Sequence, residues 1–134
     1  MMLKVFSDGA SRGNPGEAGC GFVILNGEGA VLEEGCLYIG HATNNVAEYK
    51  AVLEAARRAK LMNPSEINFY LDSELIVKQM KGEYKVKNET LGLIRLELIK
   101  TIQGTKFSFN HVPREQNKLA DRLANKAIDD KVMA

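Results

Sequence analysis

The 134-residue sequence has no tryptophan, three prolines and two cysteines, Cys20 and Cys36. Neither cysteine belongs to a Cys-x-x-Cys pair, which argues against a zinc site or a disulfide framework; both are expected to be small packing residues in strands. Charge of one sign is equally scarce. Eighteen Lys and Arg against 17 Asp and Glu leave a formal charge of +1, which excludes a protein that grips nucleic acid by bulk basicity. Any polyanion it binds must be held locally. The longest apolar runs, such as residues 21–25, fall far below the roughly 18 residues a membrane span needs. The opening Met1-Met2-Leu3-Lys4-Val5-Phe6 lacks a signal-peptide layout, so a cytoplasmic protein without membrane association is expected. No repeat or low-complexity tract interrupts the chain, and 45% hydrophobic residues at this length suit one domain over residues 1–134.

What is present is an alternation of strand and helix patterns. Residues 3–8 alternate weakly and end at a loop over 9–16 that holds Gly9, Gly13, Pro15 and Gly16. Two β-rich segments, 18–25 and 30–39, are split by Asn26-Gly27-Glu28-Gly29, whose Asn-Gly step signals a hairpin. Three strands in an antiparallel meander are predicted. Thr43 can cap a helix reaching Met62, which Asn63-Pro64 closes. A strand over 66–72 follows this crossover and is predicted to lie parallel to the first. Helices over 73–81 and 89–102, with Ser73 and Asn88 as caps, precede a fifth strand over 106–112 and an amphipathic helix over 116–131. The fold class is α/β: a five-stranded mixed sheet, three antiparallel strands then two parallel, flanked by helices.

Four carboxylates sit where apolar residues are expected. Asp8 and Asp72 close parallel strands and so share one sheet edge, where ligands bind in open α/β sheets. Glu48 lines up with Val52, Ala55 and Ala59 in its helix, and Asp121 with Ala124 and Ile128 in the last one. Each has a structural explanation in a turn, a cap or a helix N-terminus. Together, four converging acids repel one another unless something positive lies between them. Oxygen-only ligands suit Mg²⁺ or Mn²⁺, and Mg²⁺ commonly shares its shell with phosphate oxygens. That chemistry points to phosphoryl transfer.

With those residues in place, the chain resembles the type 1 ribonuclease H (RNase HI) family over nearly its whole length. The matching motifs are Ser7-Asp8-Gly9-Ala10 with Gly13-Asn14-Pro15-Gly16, Thr43-Asn44-Asn45 leading to Glu48, Leu71-Asp72-Ser73, and Asn117 with Ala120-Asp121. The resemblance implies a nuclease that cuts the RNA strand of RNA/DNA hybrids, leaving 5′-phosphate and 3′-hydroxyl ends. It makes Asp8, Glu48, Asp72 and Asp121 a catalytic tetrad holding two Mg²⁺ or Mn²⁺ ions, in keeping with two-metal catalysis. It also assigns Gly9, Ala10, Asn14, Asn44 and Asn45 to the hybrid's minor groove, where the 2′-hydroxyl distinguishes RNA from DNA. Turn and cap chemistry would explain the same asparagines. Ser73 can bond a phosphate, cap its helix, or do both.

Two departures modify this picture. Many members grip the DNA strand with a basic, tryptophan-containing protrusion; here the corresponding residues 78–87 are short and carry Lys78, Lys81, Lys85 and Lys87 beside Glu83. Weaker, salt-sensitive hybrid binding is expected. No hybrid-binding module precedes Leu3, so long-range processivity is not expected. The loop before the last acid reads His111-Val112-Pro113-Arg114-Glu115-Gln116-Asn117, stiffer than the family's glycine-rich loop. His111 aligns with the family histidine that aids proton transfer or product departure, and Arg114 is a competing candidate for the scissile phosphate. A surface ion pair with Glu115 or Asp121 would equally explain Arg114. The aromatic residues, Tyr84 and Phe107 among them, are assigned to core packing. The chain is expected to act as a monomer with no required protein partner. A silent binding module for A-like duplexes and an integrase or transposase core are the competing functions. The intact tetrad opposes the first, and the short chain opposes the second.

Overall fold

A computed structural model describes residues 1–132. Strands β1 (Met2–Gly13), β2 (Gly16–Asn26) and β3 (Val31–Ala42) form the antiparallel meander, followed by α1 (Asn44–Lys60) and β4 (Glu66–Leu71). Then come α2 (Glu74–Met80), α3 (Glu89–Ile102), β5 (Lys106–His111), a 3₁₀ turn at Arg114–Gln116 and α4 (Lys118–Asp130). The sheet order is β3-β2-β1-β4-β5, with β4 parallel to both β1 and β5. This is the mixed sheet the sequence pattern predicts.

Local chemistry explains most of the boundaries. The β2–β3 turn closes on Asn26: its carbonyl accepts from Gly29 N–H at 3.0 Å, and its Oδ1 accepts from Glu28 and Ala30 N–H. Thr43, Ser73 and Asn88 cap α1, α2 and α3 by accepting from Val46, Ile76 and Leu91 N–H.

β1 differs from expectation. It does not stop at Gly9 but stays paired with β2 as far as Gly13 opposite Gly16, so the glycine-rich stretch read as a loop is mostly strand. Two glycines farther along, Gly19 and Gly21 of β2, answer a packing need. A Cβ on Gly19 would lie 2.5 Å from the Ala124 carbonyl oxygen, and one on Gly21 would lie 2.3 Å from that of Ala120, so α4 rests directly on β2.

The core occupies the opposite face. Leu3 and Val5 of β1, Phe22 and Ile24 of β2, Ile67 and Phe69 of β4, and Phe109 of β5 pack against Tyr49 and Val52 of α1 and Leu98 and Ile102 of α3. Tyr84 and Phe107 do not belong to it, being 48% and 42% exposed. Tyr84 lies in the α2–α3 connector beside the Lys78 ammonium, and Phe107 lies on an edge strand with its ring edge against Phe109. Both cysteines are free thiols in strands, Cys20 buried and Cys36 partly so. Among the described residues no helix is long and apolar enough to cross a membrane.

Candidate active site

β1 and β4 pair in parallel register through Phe6 opposite Tyr70, and the same register continued two residues sets Asp8 level with Asp72. β4 ends at Leu71 while β1 runs on beside β2. Asp8 therefore lies within a strand, but where the parallel part of the sheet stops. The shared edge forms because β4 is short.

Glu48 is brought in by close backbone packing. A Cβ on Gly9 would fall 2.2 Å from the Glu48 nitrogen and 2.3 Å from the Ala47 carbonyl carbon, so α1 lies directly on β1 at this residue. Gly9 is buried, and the close approach it permits is that of α1. One carboxylate oxygen each from Asp8, Glu48 and Asp72 lies within 4.8 Å of the others. Asp8 and Glu48 are 6% and 7% exposed; Asp72 is half-buried.

The electrostatics follow from this crowding. Burial, then the charges of Glu48 and Asp72, push the Asp8 carboxyl up to about 9. Burial and then Asp72 push Glu48 up to about 8, against the opposing pull of Arg114 and a hydrogen bond with Asn44. Among the described residues, no lysine or arginine forms an ion pair with any of the three acids. An all-oxygen cluster that lacks an internal cation and strains to ionise is a ligand set for a hard divalent ion.

Asp121 stands at the rim. It is exposed in the first turn of α4, adds to the forces that raise the Asp8 carboxyl, and accepts from Asn125 Nδ2 at 3.3 Å. The structure thus gathers three acids closely and sets the fourth beside them. Asn117 was visible in the sequence only as part of a motif. Here it is 1% exposed, and its Nδ2 donates to the Ser7 carbonyl at 2.9 Å and to Asp72 Oδ2 at 3.1 Å. An asparagine at a helix start, one turn before an acid, was the available signal.

The other candidates surround this cluster. Arg114 is exposed in the 3₁₀ turn, its charge reaching Glu48, and among the described residues it pairs with neither Glu115 nor Asp121. His111 is exposed at the end of β5, opposite Leu71 and so one residue from Asp72. Asn44 and Asn45 are exposed on the first turn of α1, and Asn44 N–H donates to Asn14 Oδ1 at 3.1 Å, tying the β1–β2 turn to that helix. Ala10 is half-buried next to Gly9, and the Ser73 hydroxyl caps α2. In the basic stretch, Lys78 pairs with Glu74 at 2.9 Å, whereas Lys81, Lys85 and Lys87 are exposed.

A family model described as reverse transcriptase-like matches residues 6–127. The crystal structure of RNase H1 from Halobacterium salinarum matches with a TM-score of 0.94 at 40% identity, covering 97% of this chain and 99% of that one. The chain belongs to the type 1 ribonuclease H family. A ribonuclease H1 from a compost metagenome, solved in complex with an RNA/DNA hybrid, matches with a TM-score of 0.92 at 41% identity over 96% of this chain and 98% of that one. Among curated relatives, the ribonuclease HI of Halobacterium salinarum is 41% identical over 129 residues, 96% of this chain. The chain spans 65% of that protein's length and 36% of the length of three mycobacterial relatives. Type 1 ribonucleases H need a divalent metal, and the Asp8, Glu48 and Asp72 oxygens form a cluster suited to one.

Proposed function

We propose that the protein is an endonuclease hydrolysing the RNA strand of RNA/DNA hybrids, with residues 1–134 as one catalytic domain and Asp8, Glu48, Asp72 and Asp121 as the ligands of two Mg²⁺ or Mn²⁺ ions. The observation that carries this is the trio of carboxylate oxygens within 4.8 Å, two of its three acids buried and none ion-paired among the described residues. When bound, such ions lower the pKa of an attacking water and stabilise the charge that builds on the scissile phosphate.

The protein's own residues supply the rest. Asp8 is fixed by strand pairing on the β2 side and accepts from Gly9 N–H at 3.0 Å, so its carboxylate is oriented before substrate arrives. Asn44 and Asn45 present amides at the exposed start of α1, where the 2′-hydroxyl of an RNA strand can both donate and accept, and Asn14 and Ala10 border the same surface. Ser73 faces the edge after β4 as a phosphate contact that also caps α2. Arg114 offers a permanently charged fork to the phosphate or the departing 5′-phosphate product, and His111 offers an imidazole to move a proton near Asp72. All four acids come from one chain, which supports action as a monomer without a protein partner. The two free thiols suit the reducing cytoplasm.

The deciding experiment incubates an end-labelled RNA/DNA hybrid with the protein and Mg²⁺ or Mn²⁺, beside a chelator lane and Asp72→Asn. RNA cut to 5′-phosphate products, intact DNA, and loss of cutting in both controls are expected. Intact RNA in every metal-containing lane would replace this reading with that of a silent hybrid-binding module.

A further inference from the structure

We infer that Asn117 is a positioning residue of the acid cluster: its side-chain amide is a two-pronged tie holding the Asp72 carboxylate against the β1 backbone one residue before Asp8. The inference rests on the nuclease reading and adds to it a residue that touches neither the hybrid nor the metal.

Three observations converge on this role. First, Asn117 occupies the N-cap position of α4, the place where an asparagine ordinarily accepts from the helix's free N–H groups. α1, α2 and α3 all receive such a bond from Thr43, Ser73 and Asn88, whereas the side chain of Asn117 makes none. It has been turned away from its own helix.

Second, both hydrogens of the one NH₂ group are spent on the site. Nδ2 donates to the Ser7 carbonyl at 2.9 Å and to Asp72 Oδ2 at 3.1 Å. An amide rotated the other way would set its oxygen against a carbonyl and a carboxylate, so the two acceptors fix the orientation. No aspartate, serine or leucine at this position presents two donors from one atom. With one oxygen held, the Asp72 carboxylate cannot swing about its terminal torsion.

Third, Asn117 Oδ1 is buried and has no protein hydrogen-bond partner among the described residues. Buried polar atoms are nearly always satisfied, and each exception calls for a reason. The reason here is that the residue is retained for its donors. Its backbone carbonyl also accepts from Asp121 N–H at 3.1 Å as α4 begins. One residue therefore connects β1 next to Asp8, the end of β4 at Asp72, and the helix that presents Asp121. Groups holding metal ligands in this way typically change metal affinity or activity about tenfold to a hundredfold when removed.

The test compares wild type, Asn117→Ala and Asn117→Ser with Asn88→Ala, which removes a genuine cap from α3. Mn²⁺ affinity is measured on the free protein by electron paramagnetic resonance, melting temperature in chelator, and kcat and KM on a labelled hybrid. Both Asn117 variants are expected to bind Mn²⁺ about tenfold to a hundredfold more weakly and to lose kcat with KM little changed, while Asn88→Ala loses only thermal stability. Asn117 variants that melt lower yet match wild type in Mn²⁺ affinity and kcat would overturn the tie. Should they fail to fold, the wild-type side-chain amide resonances of Asn117 decide: they should shift as Mg²⁺ is titrated, and resonances that stay fixed while the cluster fills overturn the inference. Wild-type protein that neither binds Mn²⁺ nor cleaves would remove the nuclease reading, and this inference with it. Wild-type protein that does both beside an unaffected Asn117→Ala removes only the tie.

Discussion

Asp8 and Glu48 keep their protons to about pH 9 and about pH 8 when no cation is bound, far above the ordinary 3.8 and 4.5 of such groups. A carboxyl raised on folding binds more protons folded than unfolded. Its stabilising contribution is complete below the unfolded value and is lost as pH climbs through the folded one. The metal-free protein should therefore melt at steadily lower temperature between pH 5 and pH 9, with Mg²⁺ or Mn²⁺ restoring most at the alkaline end, where fewer protons must be displaced. A flat melting profile in chelator would show that these acids are not strained. By the same logic Asp8→Asn, while inactive, should stabilise the metal-free protein at pH 8 by about 2 kcal/mol, read as a melt about 7 °C higher. Arg114 belongs to a different class, being exposed and unpaired with Glu115 or Asp121. Arg114→Ala should lower kcat by about tenfold with hybrid affinity little changed, as for loss of one charged contact at the transition state; unchanged kcat in steady-state assays would return it to the solvated surface. The acids were legible in the sequence because charge on an apolar stripe is conspicuous. Asn117 was not, because an asparagine before a helix looks like a cap until its side chain is seen turned inward.

Two glycine seams determine where the elements meet. At Gly9, α1 lies on β1, and at Gly19 and Gly21, α4 lies on β2, in each case so closely that a methyl group would collide with backbone atoms. These contacts deliver Glu48 and Asp121 to the site. Gly9→Ala should cost about 1–3 kcal/mol in urea unfolding through overpacking. It should also weaken Mn²⁺ binding by displacing Glu48, with the far-ultraviolet circular dichroism retained. Undiminished Mn²⁺ affinity would mean that α1 can shift without carrying Glu48 away. The helices, their caps and the Asn26 hairpin were legible from local chemistry. The length of β1 was not, because glycine is a poor strand former by propensity and marks a loop in most contexts. Cross-strand pairing to Gly13 and the helices lying above override that preference, and neither is visible in a local window of sequence.

At the level of the whole molecule, the formal charge of +1 leaves the proposed hybrid binding to a few placed cations. Lys81, Lys85 and Lys87 are exposed around the α2–α3 connector, while Lys78 is engaged with Glu74. If the free lysines meet phosphates, Lys81→Ala/Lys85→Ala should reduce the slope of log affinity against log salt by about 0.7–0.9 per residue. Fluorescence anisotropy with a labelled hybrid in chelator measures this, and an unchanged slope would assign both side chains to solvent. The sheet order was legible because a long crossover helix between two strands leaves little choice of handedness. The convergence of distant segments was legible only through the acids themselves.

A nascent chain that has emerged from the ribosome through β4 already carries Asp8, Glu48 and Asp72, yet lacks β5, the Asn117 amide and the helix bearing Asp121. On the nuclease reading, a nascent polypeptide therefore holds three crowded carboxylates with nothing to anchor or complete them until the segment bearing Asn117 and Asp121 has left the ribosome.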